Sequence, residues 1–388
     1  MKKLSKLVSC VAVLLLVFLL QHLITVNKDG SYNFLPVNLS TSLSQLVAST
    51  AKENVCKVYY ERSGVNFNMK SSTSFDKVGM QEYSSTKTKR DMNTITEAPC
   101  NPLKQEDIES VQKFVFFVGY ARSGHSIVAS LLDAHPNIIM AHEFNLFRAW
   151  TEHGGAKLSN KTHLYNKLWA NSCNALRGWR SKENSRKGYS LNIASPWLGN
   201  FKKLQVIGDK SGAVTTQVYS NSSEKFDNIL DKLIKTVNVP IKVIHVVRNP
   251  YDIASTRLLY VESAGKSSKL NATTEHKLCS IQHLHKQVNR TITLTTHVHN
   301  FLATASLDVL DVHLVDIIEE PGRTLQTLCT FLGVDCSPDY INTCTSKLYK
   351  KVARTRDTVI WPEWLMDKIY LEIIKPFPSF WRYSFYGN

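Results

Sequence analysis

The stretch from Phe114 to Glu143, FVFFVGYARSGHSIVASLLDAHPNIIMAHE, sets an apolar, β-prone run directly before a glycine-bearing loop and a segment of helical periodicity. Phe114-Val115-Phe116-Phe117-Val118 lacks polar alternation, as a parallel strand covered on both faces should, whereas Ile127, Val128, Leu131 and Leu132 recur along one helix face. A chain turning sharply between the two aims the free N–H groups of the helix start, and the positive end of its dipole, into the turn. Gly124 admits backbone conformations closed to other residues, and Arg122 adds planar charged donors that match phosphate or sulfate oxygens. The segment therefore predicts an anion cradle at the carboxyl end of a buried strand.

Two kinds of loop compete for this pattern. Gly119, Gly124, His125 and Ser126 follow the nucleoside triphosphate spacing G-x-x-x-x-G-K-[ST], except that His125 stands where the phosphate-gripping lysine is required. The run GYARSGHS also resembles the 5′-phosphosulfate loop of sulfotransferases: Arg122-Ser123-Gly124 and Ser126 match its basic, Ser-Gly and hydroxyl positions, and His125 takes a position usually held by threonine. A second strand-to-helix junction, Ile241 to Leu258, IKVIHVVRNPYDIASTRL, is similar to that family's 3′-phosphate site, in which an arginine at the strand end and a serine eight residues on reach one phosphate. Arg248 matches the arginine and Thr256 sits at the serine's spacing with Ser255 beside it, so either hydroxyl fits. Val312 to Val334, VHLVDIIEEPGRTLQTLCTFLGV, resembles the family's late strand, proline turn and amphipathic helix.

From Phe114 to Tyr386 the chain thus resembles Golgi-type, membrane-bound sulfotransferases that use 3′-phosphoadenosine 5′-phosphosulfate (PAPS), both carbohydrate and tyrosylprotein ones. The resemblance implies a P-loop-like, three-layer α/β fold with a central parallel sheet flanked by helices. It places Arg122, Ser123, Gly124, His125 and Ser126 around the 5′ side of the donor, and Arg248 with Ser255 or Thr256 on its 3′-phosphate.

Moving a sulfuryl group to a hydroxyl needs a base for the proton, positive charge on the departing oxygen and in-line placement. It demands no metal, and no Cys-x-x-Cys or His-x-x-x-His set stands at ligand spacing. Glu143 lies one helix and one short strand, Ile138-Ile139-Met140, beyond Arg122, which returns it to the mouth of the same sheet. LLDAHPNIIMAHE resembles tyrosylprotein sulfotransferases in particular, where a carboxylate at this spacing removes the acceptor proton. Neighbouring His142 is the second candidate base, since imidazole titrates nearest lumenal pH. Lys210 ends a further strand in LQVIGDKSGAV, where the resemblance gives a lysine the task of polarising the bridging oxygen; an Asp209–Lys210 surface pair is the alternative. Glu143, Lys210 and Arg122 are accordingly the implied catalytic set. Lys350, Lys351, Arg354 and Arg356, ahead of Trp361, read either as a basic loop covering the nucleotide or as a solvated stretch.

The beginning of the chain predicts a compartment. After the basic tail, residues 1–6, residues 7–26 are mostly apolar and long enough to cross a bilayer. Lysines on the short side keep that tail cytosolic and send the rest into the lumen, and no small-x-small site follows for cleavage. Residues 27–106, rich in Ser, Thr, Lys and Asn, read as an extended stem, and residues 107–388 as one α/β domain with strands near 114–118, 204–207, 241–247 and 312–315. Sequons at Asn38, Asn160, Asn221, Asn271 and Asn289 agree with a lumenal body. Besides Cys10 in the span, Cys56, Cys100, Cys173, Cys279, Cys329, Cys336 and Cys344 form an odd set, with the last three the nearest local source of a disulfide.

A net charge of +15 suits polyanions: the donor, and an acidic acceptor such as a glycosaminoglycan or an acidic peptide of a secreted protein. The expected compartment argues against nucleic acid. The irregular stretch from Phe144 to Lys203, with Trp150, Trp169, Trp179 and Trp197, is where acceptor contacts are expected, although core packing claims most such aromatics. The leading reading is a Golgi membrane enzyme that sulfates a glycan hydroxyl. Its alternatives are a protein-tyrosine sulfotransferase and, in another class, a lumenal P-loop kinase using ATP and magnesium or a non-catalytic binding protein.

Overall fold

The computed structural model describes residues 24–26, 32–34, 101–152, 155–177, 193, 203–263 and 277–387. The expected tail, nearly all of the expected span and stem, the sequons at Asn38 and Asn271, and Trp179 and Trp197 lie outside these residues. Ile24–Val26, the end of the expected span, is a strand paired antiparallel with Tyr32–Phe34 in a unit covering residues 1–70. Among the described residues no helix is long and apolar enough to cross a membrane.

The second unit, residues 71–388, is built on five parallel strands. They are β1 (Lys113–Gly119), β2 (Ile138–His142), β3 (Val206–Lys210), β4 (Ile241–Val247) and β5 (Asp308–His313), in the order β2-β3-β1-β4-β5. β1 is central and buried throughout Phe114 to Val118, which explains the absence of alternation in its sequence. Its two sets of side chains feed two cores. Phe114, Phe116 and Val118 pack with Phe147, Phe226 and Phe301 on one face, and Val115 and Phe117 with Val128, Leu131, Leu325 and Leu328 on the other. Each such side chain contributes about 1.5–3 kcal/mol on burial.

The helices covering the first face include α1 (Leu146–Glu152), α2 (Lys161–Arg177), α3 (Ser223–Val237), α4 (Pro250–Ser263) and α5 (Ile281–Thr304). The second face carries α6 (His125–Asp133), α7 (Leu314–Glu319), α8 (Pro321–Leu332) and α9 (Pro338–Thr345). The parallel sheet flanked by helices is the three-layer architecture that the sequence predicts.

Two strands are displaced from their expected places. β3 runs to Lys210, because its pairing with β1 and β2 continues through Phe116↔Asp209 and His142↔Lys210. β5 begins at Asp308, opposite Lys242, and Leu314 already opens α7. Cys329 and Cys336 form a disulfide, while Cys344 stays a buried thiol whose pKa burial pushes up to about 12. Cys173 and Cys279 are each disulfide-bonded as well. Trp150 and Trp169 are buried in the first core, so packing is their role. The sequon asparagines Asn160, Asn221 and Asn289 are exposed.

Candidate active site

β1 delivers the chain into the loop through Gly119 at φ 133°, and Arg122 (φ 77°) and Gly124 (φ 106°) turn it into α6. A Cβ on Gly124 would lie 2.7 Å from Leu314 Cδ1, so the turn requires glycine. Arg122 occupies the left-handed region unusual for a long side chain, a conformation that persists only when its surroundings impose it. Here Ser123 donates to the Tyr120 carbonyl from both N (3.3 Å) and Oγ (2.9 Å).

Tyr120 is held from below by a polar chain, buried at Tyr120 and His245 and reaching the surface at Asp311, that sequence reasoning missed. Its hydroxyl bonds His245 Nε2 at 2.9 Å, His245 Nδ1 donates to Asp311 Oδ1 at 2.9 Å, and Ser379 Oγ donates to Asp311 Oδ2 at 2.6 Å. Burial alone would push the Asp311 pKa up, but the His245 bond and charge bring it down to about 2. His245 and Asp311 face each other in the β4–β5 register, a pairing that the two separate strand sequences do not advertise.

The side chain of His125 turns to the sheet rather than into the cradle, leaving its backbone N–H as what it can offer an anion. The ring fills a notch between Gly119 and Gly212, where an added Cβ would come within 2.9 and 2.4 Å of Nε2. Nε2 donates to the Val118 carbonyl at 3.2 Å, and Nδ1 lies 3.2 Å from Ser123 Oγ. Burial, then the nearby Lys210 charge, hold its pKa down to about 3. The unfolded chain therefore binds a proton that the folded chain refuses, so this stability is complete above about pH 6.5 and falls as pH drops toward 3, by about 1.4 kcal/mol per pH unit. Buried Asp209 has the opposite sign, with its pKa raised to about 6, and is common to wild type and variant. Chemical denaturation at pH 6.5 and 4.5 should show wild type losing about 2 kcal/mol more than His125→Thr; equal losses would remove His125 from this account.

Three elements meet at the mouth of the loop. Lys210, the last residue of β3 and only 3% exposed, donates from Nζ to Ser126 Oγ at 3.2 Å and to Glu143 Oε1 at 2.9 Å. Glu143 follows β2 at φ 58°, and its side chain is 70% exposed, whereas His142 is buried. The expected Asp209–Lys210 surface pair does not form, because strand alternation sends the two side chains to opposite faces. Asp209 instead accepts from Phe144 N (3.1 Å), Leu146 N (2.9 Å) and Ser211 Oγ (2.8 Å), fixing the turn that carries Glu143.

The second junction joins the first directly. Arg248, 8% exposed, donates from one terminal nitrogen to the Arg122 carbonyl (2.9 Å) and Thr256 Oγ1 (3.2 Å), and from the other to the Ala353 carbonyl (3.2 Å) and Thr355 Oγ1 (3.5 Å). Its Nε is buried with no hydrogen-bond partner among the described residues. Burial lowers the Arg248 pKa, Asp252 opposes this, and Arg356 and Arg122 lower it further. Thr256 is the hydroxyl that faces Arg248; Ser255 is buried and accepts the Trp361 indole N–H at 3.2 Å.

Of the late basic residues, Arg356 is buried against Asp252 and donates to the Phe385 and Gly387 carbonyls. Arg354 pairs with Asp357 and the Tyr386 carbonyl, and Lys350 and Lys351 are exposed. This segment reaches Arg248 through Ala353 and Thr355, which no charge pattern singles out. Among the described residues no group of His, Cys, Asp and Glu could hold a metal ion.

The junctions at the carboxyl ends of β1 and β4 adjoin at one edge of the α/β sheet, joined by the Arg248–Arg122 contact. A family model described as the sulfotransferase family matches residues 115–338, which contain both junctions, Glu143 and Lys210. The chain belongs to the sulfotransferase family. Among solved structures, the sulfotransferase domain of the olefin synthase of Synechococcus PCC 7002 is 14% identical, over 69% of this chain and 96% of its own, with a TM-score of 0.39. STF9 of Mycobacterium avium is 10% identical, over 69% of this chain and 77% of its own, with a TM-score of 0.37. Mouse sulfotransferase SULT7A1, solved in complex with PAP, is 13% identical, over 70% of this chain and 90% of its own, with a TM-score of 0.36. No curated protein matches the chain in sequence.

Proposed function

We propose that this sulfotransferase moves a sulfuryl group from PAPS to a hydroxyl of a glycan acceptor in the Golgi lumen, anchored by residues 7–26 as a type II membrane protein. The observation that carries the chemistry is Lys210 Nζ, bonded at once to Ser126 in the loop and to Glu143 at the solvent edge. The buried, unpartnered Arg248 Nε and the glycine turn at Gly124 suit an anionic nucleotide, which would lie with its 5′ side on Ser123, Gly124, Ser126 and Arg122 and its 3′-phosphate on Arg248 and Thr256. PAPS supplies the sulfuryl group and a phosphate leaving group.

The acceptor oxygen forms the new bond to sulfur, the bond from sulfur to the bridging phosphate oxygen breaks, and the acceptor proton passes to the Glu143 carboxylate. Lys210 places a fixed positive charge where the departing oxygen gathers negative charge, in a site that needs no reorganisation to do so. Arg122 adds charge from the loop.

Titration of the protein with adenosine 3′,5′-bisphosphate tests the donor half: tight binding is expected, and no binding, with transfer observed from ATP and magnesium, would replace this reading by a kinase. Thr256→Val should weaken that binding about tenfold, the value of one hydrogen bond to a charged group, while Ser255→Ala leaves it within about twofold. The reverse pattern would move the 3′-phosphate to Ser255. For the acceptor, labelled PAPS is offered with desulfated glycans and with acidic tyrosine peptides. The spacing from Arg122 to Glu143 favours tyrosine as the second reading, and label in the peptides alone would establish it.

A further inference from the structure

Next to Thr256 on α4, Arg257 is an arginine with no assigned task. It is 7% exposed, and its Nε donates to Gln287 Oε1 of α5 at 3.1 Å. Tyr260, one turn on and half-exposed, lies under the Arg122 guanidinium, whose Cζ is 4.5 Å from the ring centroid. Arg290, exposed, stands one turn on from Gln287 along α5, on the same side as the residue that holds Arg257. Arg257 and Arg290 thus lie on adjoining faces of α4 and α5, and the Arg122 guanidinium, from the loop after β1, stacks on Tyr260 of the same helix as Arg257.

Among the described residues no carboxylate pairs with Arg257, Arg290 or Arg122. Of the two acids on α4, Asp252 is paired with Arg356 and Glu262 is engaged by Ser280 and His283. Burial, then the fields of Arg290 and Arg122, depress the Arg257 pKa to about 10, so its neighbours add repulsion rather than relief. A buried arginine is ordinarily matched by an acid or by an anionic ligand.

We propose that Arg257 and Arg290 form an oxyanion subsite, adjoining the Arg248–Thr256 pair, that takes a phosphate or sulfate group. Two sources present that chemistry: the 3′-phosphate end of the donor, and a sulfate already carried by an anionic glycan acceptor whose sugar ring packs on Tyr260. The inference rests on the donor and acceptor classes proposed above.

Purified full-length protein is titrated calorimetrically with adenosine 3′,5′-bisphosphate, AMP, a sulfated hexasaccharide and its desulfated counterpart. Arg257→Gln and the charge reversal Arg290→Glu, at an exposed helix position that keeps the fold, are each expected to weaken a sensitive ligand about tenfold. Selective loss of the bisphosphate, with AMP within about twofold, assigns the subsite to the donor, and selective loss of the sulfated hexasaccharide assigns it to the acceptor. Unchanged affinities in Arg290→Glu, or equal losses for both members of each ligand pair, overturn the subsite. If wild type prefers neither bisphosphate over AMP, the donor reading fails instead, whatever the variants do.

Discussion

Glu143→Gln is expected to lower turnover at least about a hundredfold while adenosine 3′,5′-bisphosphate still binds within about twofold of wild type. Glutamine keeps the shape of the side chain and an oxygen that can accept from Lys210, but it cannot take up the acceptor proton. The loss should therefore fall on kcat, with KM for PAPS little changed. Because the Glu143 side chain is 70% exposed, the fold itself should not notice the exchange. Lys210→Met supplies the companion measurement: removing the charge at the departing oxygen should also cost on the order of a hundredfold. The double variant should be far less impaired than the product of the two, since Lys210 and Glu143 act through one contact. A kcat loss below about tenfold in Glu143→Gln would pass the role of base elsewhere. His142 is the sequence alternative, although its burial keeps it from an incoming hydroxyl.

Why these residues were readable is itself physical. β1 and its loop stand out because a strand buried on both faces has no alternation, and because a turn through positive φ needs Gly124. Arg248 and Thr256 were readable from a spacing across one strand-to-helix junction, but choosing Thr256 over Ser255 required the helix phase, which a boundary error of one residue rotates by a large angle. Asp209 and Lys210 carry two readings in the sequence for a related reason. Ending the strand at 207 leaves both in a turn, whereas ending it at Lys210 makes alternation separate them, one to hold the Glu143 turn and one to the site. The chain Tyr120–His245–Asp311 depends on three strands coming into register, so no local pattern carries it. Arg354 and Arg356 stand out as charges in the sequence, while the acids that pair with them, Asp357 and Asp252, are assigned only by the fold.

Asp252→Ala is expected to cost about 3–5 kcal/mol of stability, the range for a buried ion pair broken on one side. Asp252 and Arg356 are both buried, on α4 and on the 3-10 turn Thr355–Thr358. The carboxylate also accepts from Arg356 N at 2.9 Å, and Arg356 donates onward to the Phe385 carbonyl at 2.8 Å, so one aspartate ties the C-terminal segment to the helix that carries Thr256. Burial raises the Asp252 pKa and lowers that of Arg356, and in each case the opposite charge only partly offsets it. A pair of this kind contributes little net stability when intact and is costly when halved. The double variant Asp252→Ala/Arg356→Met should therefore recover most of the loss in denaturation midpoint. It should not recover nucleotide affinity in full, because the turn that sets Ala353 and Thr355 against Arg248 has lost its anchor. Asp252→Ala within about 1 kcal/mol of wild type, or a double variant no better than the single one, would show that the C-terminal segment is held by its apolar contacts alone.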